Sequence, residues 1–118
     1  MTSFANIRIM FANRIFREYS LSIMASTNFH QLRIFHTVAR LGSFTKAAEE
    51  LQISQPAVSI QVRELERNMG TTLLHRMRRG IQLTETGESV YGYTRRIFAL
   101  ADEMHASVQD IQGLRTGR

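Results

Sequence analysis

A chain of 118 residues has room for one small domain and an appendage, but not for a second sizeable core. It has no cysteine, which excludes disulfides and thiolate metal sites, and no apolar run approaches the roughly 18 residues of a membrane-spanning helix. The net charge of +5 suits an anionic partner, which leaves nucleic acid, an acidic protein and a membrane surface as candidates.

Residues 1–27 form an arginine-rich extension whose single acid is Glu18. An amphipathic, serine-containing N-terminus of this composition is typical of an organelle transit peptide. The other interpretation takes Met24 instead of Met1 as the true start, with upstream sequence before it. We expect the extension to be disordered or to form a loosely attached helix.

A first helix is predicted over residues 29–41, and Gly42 ends it. Its apolar positions share one face: Leu32, Phe35, Val38 and Ala39. We expect this helix to pack across the next two and complete a three-helix core. His30 and His36 have no second ligand set at metal spacing, so we interpret them as surface or packing residues and predict no metal site.

Residues 43–70 predict two short helices joined by a tight turn. Ser43 can cap the first helix, and Ser54 the second, with Pro56 in the first turn, where its missing N–H is harmless. Gly70 closes the pair. The apolar stripe of the first helix is Phe44, Ala47, Ala48 and Leu51; that of the second is Val58, Val62, Leu65 and Met69.

The alanines let the two helices approach closely, which is the shape of a helix-turn-helix. Gln55, Ser59, Ile60 and Arg63 face outward on the second helix, where short amide and hydroxyl side chains can reach base edges. Packed amphipathic helix pairs also occur in ordinary bundles. Periodicity alone therefore leaves both interpretations open.

A hairpin is predicted after the helix pair, because TTLLHR and IQLT flank the turn MRRG with Gly80 at its tip. Arg78 and Arg79 make this turn basic. Such a turn is common on soluble proteins, but its position directly after a recognition-type helix favours contact with DNA.

A last helix is predicted over residues 85–112, with Thr84 as its N-cap and a length of about 42 Å. Its apolar residues recur every seven positions, in two rows: Val90, Ile97, Met104 and Ile111, then Tyr93, Leu100 and Leu114. A heptad of this length favours a seam with a partner helix. The alternative is a helix that lies along its own domain, which would leave many of these apolar residues exposed to solvent.

Six motifs occur in order: SFTKAAEEL, SQPAVS, RELE, LLHR, RRGIQLT and ETG. Together they resemble the N-terminal DNA-binding domain of the LysR-type transcriptional regulators, over residues 29–87. The resemblance implies a mainly α fold: a winged helix-turn-helix over residues 28–84, with the hairpin as its wing, then a dimerisation linker helix over 85–112. It also favours Met24 as the start, since such domains begin shortly before a segment like FHQLRIF.

In the family, a segment like residues 113–118 is a hinge to an effector-binding domain that takes a small-molecule inducer. That domain is absent from this sequence, so we expect a fragment or a natural truncation. The implied partners are double-stranded DNA and a second copy of the chain, or a tetramer in the full-length protein, with an inducer only if the missing domain exists.

The resemblance implies a dimer that binds an interrupted inverted repeat, with a T, a variable spacer and an A. Candidate base contacts are Gln55, Pro56, Ala57, Ser59 and Ile60; Ile60 replaces the polar or basic residue of many relatives. Candidate phosphate and wing contacts are Ser43, Thr45, Ser54, Gln61, Arg63, Arg78 and Arg79. The dimer interface is expected to contain Val90, Tyr93, Ile97, Leu100, Met104 and Ile111.

Two other functional classes are possible for such a sequence. A dimerisation or protein-interaction module with a vestigial helix-turn-helix predicts dimers without salt-dependent DNA binding. An enzyme is disfavoured, because four histidines have no cysteine, glycine-rich phosphate loop or paired carboxylates to work with. We therefore expect no enzyme activity, no cofactor and no membrane association, and a location in the cytoplasm, on the bacterial nucleoid.

Overall fold

The computed structural model describes residues 28–115, and within them the chain forms four helices and one two-stranded hairpin. The elements are α1 (Phe29–Leu41), α2 (Phe44–Leu51), α3 (Gln55–Met69), β1 (Leu74–Arg76), β2 (Ile81–Leu83) and α4 (Glu85–Arg115). The predicted fold class, a winged helix-turn-helix with a long C-terminal helix, is confirmed. The expectations for residues 1–27 and 116–118 lie outside the described residues.

The helices begin where short polar side chains cap them. The Ser43 hydroxyl accepts a hydrogen bond from the Lys46 backbone N–H at 3.1 Å, and the Ser54 hydroxyl accepts one from Ala57 at 3.2 Å. Thr84 does the same for α4, accepting from the N–H of Gly87 at 2.9 Å. All three predicted caps are confirmed.

Left-handed residues end the helices of the domain. Gly42 and Gly70 have φ angles of 68° and 69°, a region that side chains rarely tolerate, and each donates its N–H back into the helix it closes. Gln52 takes the same conformation after α2, with φ of 58°. This third C-cap could not be predicted from the sequence, because glutamine is not a usual residue in the left-handed conformation.

The core lies where α1, α2 and α3 cross. The predicted face of α3 is confirmed for Val58, Val62 and Leu65, which are at most 2% exposed, while Met69 is only partly buried at the edge. The other buried apolar side chains are Ile34, Phe35, Val38, Phe44, Ala47, Ala48, Leu73 and Leu74.

The hairpin is antiparallel and pairs Leu74 with Leu83 and Arg76 with Ile81. Gly80 lies in its turn with φ of 86°, as predicted for the tip. The Glu66 carboxylate of α3 accepts hydrogen bonds from the N–H groups of Leu73, at 2.7 Å, and Leu74. The base of the hairpin is therefore tied directly to α3.

Helix α4 begins against the domain and then leaves it. Its 31 residues give a length of about 46 Å. Gly87 and Thr94 are buried, whereas residues 102–112 are exposed. The helix runs through Gly113 to Arg115, which corrects the expectation that a hinge begins at residue 113, since one helical glycine costs only about 1 kcal/mol.

His36 joins α1 to α4. Its Nδ1 lies 2.9 Å from the Thr94 hydroxyl, and its ring packs 5.4 Å from Tyr91 and 5.2 Å from Phe98, between ring centroids. Burial, followed by the positive charges of Arg40, Arg33 and Arg95, lowers the pKa of His36. This confirms that His36 is a packing residue.

Replacing Gly87 tests the contact between α4 and the base of the hairpin. An added Cβ would lie 1.8 Å from the Leu73 carbonyl oxygen, so Gly87→Ala should lower the free energy of unfolding by about 3 kcal/mol, the upper end of overpacking. Gly92→Ala on the same helix meets nothing within 4 Å and should be neutral or slightly stabilising. Chemical denaturation followed by circular dichroism measures both, and equal effects would contradict the close approach.

The lowered pKa of His36 makes stability depend on pH. As the pH falls below about 6.5, the unfolded chain binds the proton first, so the free energy of unfolding should fall until the lower pKa of the folded state is passed. Denaturation between pH 7.5 and 5.5 measures this slope. His36→Gln should flatten it, and the same slope in wild type and His36→Gln would contradict the assignment.

Candidate nucleic-acid interface

The five candidate base contacts lie together on the N-terminal half of α3. Pro56 and Ile60 are exposed, Ile60 to 56%, and Gln55, Ala57 and Ser59 are half-buried. The packing explains this placement, because Val58 and Val62 hold the opposite face in the core. The resulting surface combines an amide, a hydroxyl and apolar carbons, the groups that can distinguish base edges in a major groove.

Two capping serines flank this surface. Ser43 and Ser54 use their hydroxyl oxygens to accept backbone N–H bonds, which leaves each O–H available to donate to an anion. Thr45 is exposed in the first turn of α2. The positive ends of two helix dipoles therefore open beside the candidate base contacts.

The remaining candidate phosphate contacts lie farther out. On α3, Gln61 is half-buried and Arg63 is exposed. In the hairpin turn, Arg78 and Arg79 are both exposed. An added Cβ at Gly80 would lie 3.2 Å from the Gly42 carbonyl oxygen, so the turn sits close to the junction of α1 and α2.

A shallow cleft of about 200 Å³ separates the hairpin from the helix pair. Its lining includes Ser43, Phe44, Gln55, Arg76 and Met77. The cleft thus joins candidate contacts of α2 and α3 to the wing.

Arg76 also lies at this surface, although no sequence pattern assigned it a contact. Its guanidinium lies 3.9 Å from the centroid of the Phe44 ring, and its Nη2 donates a hydrogen bond to the Ser59 hydroxyl. The motif LLHR contains this arginine, but neither spacing nor periodicity connects it to Ser59, seventeen positions earlier.

Three acids of α2 and α3 have partners away from the hairpin turn. Glu50 pairs with Arg40, and Glu64 pairs with Arg67 at 3.1 Å on the same helix. Glu66 accepts the backbone bonds at the base of the hairpin.

Among residues 28–115, no group of three or more histidine, aspartate or glutamate side chains could hold a metal ion. No helix in that range is long and apolar enough to cross a bilayer. His30 is exposed at the start of α1.

The family of bacterial regulatory helix-turn-helix proteins described as lysR matches residues 29–88, about half of the sequence. The chain belongs to the LysR family. The resemblance inferred from the six motifs is confirmed.

Similar proteins fit this membership. The RuBisCO operon transcriptional regulator of Allochromatium vinosum is 46% identical over 87 residues, covering 74% of this chain and 29% of the relative. The crystal structure of the BenM DNA-binding domain with catB site 1 DNA has a TM-score of 0.68 and 35% identity, covering 72% of this chain and 96% of that one. The crystal structure of the CbnR DNA-binding domain with DNA has a TM-score of 0.64 and 36% identity, covering 72% of this chain and 98% of that one. This chain thus spans about three tenths of the curated LysR relative.

Helix α4 carries the residues predicted for the dimer interface. Tyr93, Leu100, Met104 and Ile111 are between 50% and 66% exposed, and Ile97 is half-buried. Val90 instead packs on the core of its own domain, so the exposed apolar row of α4 begins at Tyr93. Val108, which the heptad rows missed, and Leu114 are also exposed.

Proposed function

We propose that this chain is the DNA-binding and dimerisation part of a LysR-type transcription regulator, with α3 as the recognition helix in the major groove. The supporting observation is the outward face of the N-terminal half of α3, where exposed Ile60 and half-buried Gln55 and Ser59 lie between two helix N-termini and a basic turn. The similar BenM and CbnR domains are described in complexes with DNA.

Each side chain has a role in this proposal. Gln55 pairs bidentately with adenine, and Pro56, Ala57 and Ile60 give apolar contact to a thymine methyl. Ser43, Thr45, Ser54, Gln61 and Arg63 hold phosphates, which position the domain without reading sequence. Arg78 and Arg79 reach the backbone or the minor groove beside the site.

Dimerisation through α4 sets the symmetry of the operator. Two copies related by a two-fold axis present two recognition helices, so the site is an interrupted inverted repeat. The exposed seam supports this, because an apolar row of this size on a small domain is unfavourable in water.

The regulatory role is non-enzymatic, in line with relatives named as transcription regulators. The protein acts on the bacterial nucleoid.

A fluorescence anisotropy titration tests the proposal. The full chain should bind a duplex selected from a random pool more tightly than a scrambled duplex, and added salt should weaken both complexes. Equal weak binding to both duplexes, with an intact dimer, would instead favour the protein-interaction module.

Gln55→Ala tests the recognition helix. Loss of a bidentate amide contact should weaken binding to the selected duplex by about 1–3 kcal/mol and leave the scrambled duplex nearly unaffected. Anisotropy on both duplexes measures the difference. Unchanged binding to both would mean that α3 does not read the bases.

Arg79→Ala is the contrasting variant for that measurement. Because a phosphate contact carries no sequence information, both duplexes should lose affinity equally and the salt dependence should become shallower by about one unit of slope. Arg67→Ala, at the far end of α3 and paired with Glu64, is the charge-matched control and should change neither quantity appreciably.

Leu100→Glu tests the α4 seam. Leu100 is 66% exposed, so the change should leave the fold intact but place a charge in the dimer interface and produce monomers. Sedimentation velocity measures the oligomeric state. Ala106→Glu, exposed about half a helical turn away from the seam, is the control, and a dimer that survives Leu100→Glu would contradict this interface.

A further inference from the structure

Arg76 connects three elements at the edge of the candidate interface. Its backbone is the last residue of β1, paired with Ile81 of β2. Its side chain crosses the cleft to the Phe44 ring of α2 and the Ser59 hydroxyl of α3. The wing and the recognition helix therefore meet through one exposed side chain.

The Phe44 ring gives the guanidinium a fixed support. Phe44 is only 8% exposed and belongs to the core, so its ring cannot easily move. A planar guanidinium stacks on such a ring and still has several N–H donors in its own plane. Arg76 can therefore keep its bond to Ser59 without the disorder that is usual for a long surface side chain.

The bond changes what Ser59 can offer to a partner. A serine hydroxyl is both donor and acceptor, but here its oxygen already accepts from a cation. Accepting such a bond polarises the O–H and strengthens it as a donor. In a major groove, this favours acceptors such as thymine O4, guanine O6 and purine N7 over the donor edge of cytosine N4.

We propose that Arg76 is a positioning residue for sequence recognition, which holds the Ser59 hydroxyl as a donor toward the DNA and fixes the wing against α3. The inference rests on the proposed function. It differs from a phosphate contact, because a phosphate contact contributes equally to every sequence.

The experiment is a double-mutant cycle on the full chain, with the selected and scrambled duplexes. The variants are Arg76→Gln, Ser59→Ala and the two combined. Arg76→Gln should lower the ratio of specific to scrambled affinity about fivefold to tenfold, the effect of one lost hydrogen bond, in addition to a uniform loss from the missing charge. In the Ser59→Ala background it should lower that ratio no further.

Arg78→Gln removes the same charge from the same hairpin and is the matched control. It should weaken binding to both duplexes by the same factor and leave the ratio of specific to scrambled affinity unchanged. Arg76→Lys keeps the charge but not the planar fork, so it should restore overall affinity and salt dependence without restoring the ratio. Full rescue of the ratio by lysine would overturn the proposal.

Two outcomes separate this inference from the function it rests on. If wild type discriminates between the duplexes but Arg76→Gln behaves like Arg78→Gln in both backgrounds, Arg76 is only a phosphate contact and the inference fails. If wild type does not discriminate, the proposed function fails and the inference fails with it.

An NMR measurement on the free protein tests the contact even if Arg76→Gln does not fold. The Arg76 guanidinium lies over the Phe44 ring, so the chemical shift of its Nε–H proton should be changed by the ring current. Ser59→Ala should move that signal and leave the corresponding signal of Arg78 in place. An Arg76 signal that is unaffected by Ser59→Ala would overturn the proposal.

Discussion

The burial of one face of α3 determines where everything else in the domain can lie. Val58, Val62 and Leu65 are spaced along that face and almost completely buried, each contributing roughly 1.5–3 kcal/mol of hydrophobic stabilisation. Fixing this face fixes the rotation of the helix about its axis, so Gln55 and Ile60 must face outward. The candidate DNA surface therefore follows from the packing of the core and needs no separate device to present it.

Glu66, on the same helix, transfers that position to the rest of the chain. Its carboxylate holds the N–H of Leu73, whose carbonyl accepts the N–H of Thr84 at 3.0 Å and lies directly against Gly87. The wing and the start of α4 are thus both positioned by contacts with one backbone segment next to α3. In a dimer joined through α4, the separation of two recognition helices would be set by this short chain of contacts, which is a reason for the close approach that only glycine permits at position 87.

Features set by neighbouring residues could be predicted from the sequence, whereas features set by distant residues could not. The caps at Ser43 and Thr84 each join groups three positions apart, so the local sequence is enough to predict them. The contact of Arg76 with Ser59 depends on how the hairpin folds back over α3, which no local pattern determines. Gly113 was expected to end α4, but a glycine lowers helix stability too little to stop an established helix.

The recognition surface combines three kinds of chemical group, and each is complementary to a different feature of a base pair. The Gln55 amide both donates and accepts, Ser59 acts as a donor under the influence of Arg76, and Ile60 offers only apolar surface. An adenine edge satisfies the first, an acceptor such as thymine O4 the second, and a thymine methyl the third. Under the proposed binding mode, A·T pairs satisfy all three, so each half-site should be rich in A·T pairs at the positions facing the N-terminal half of α3.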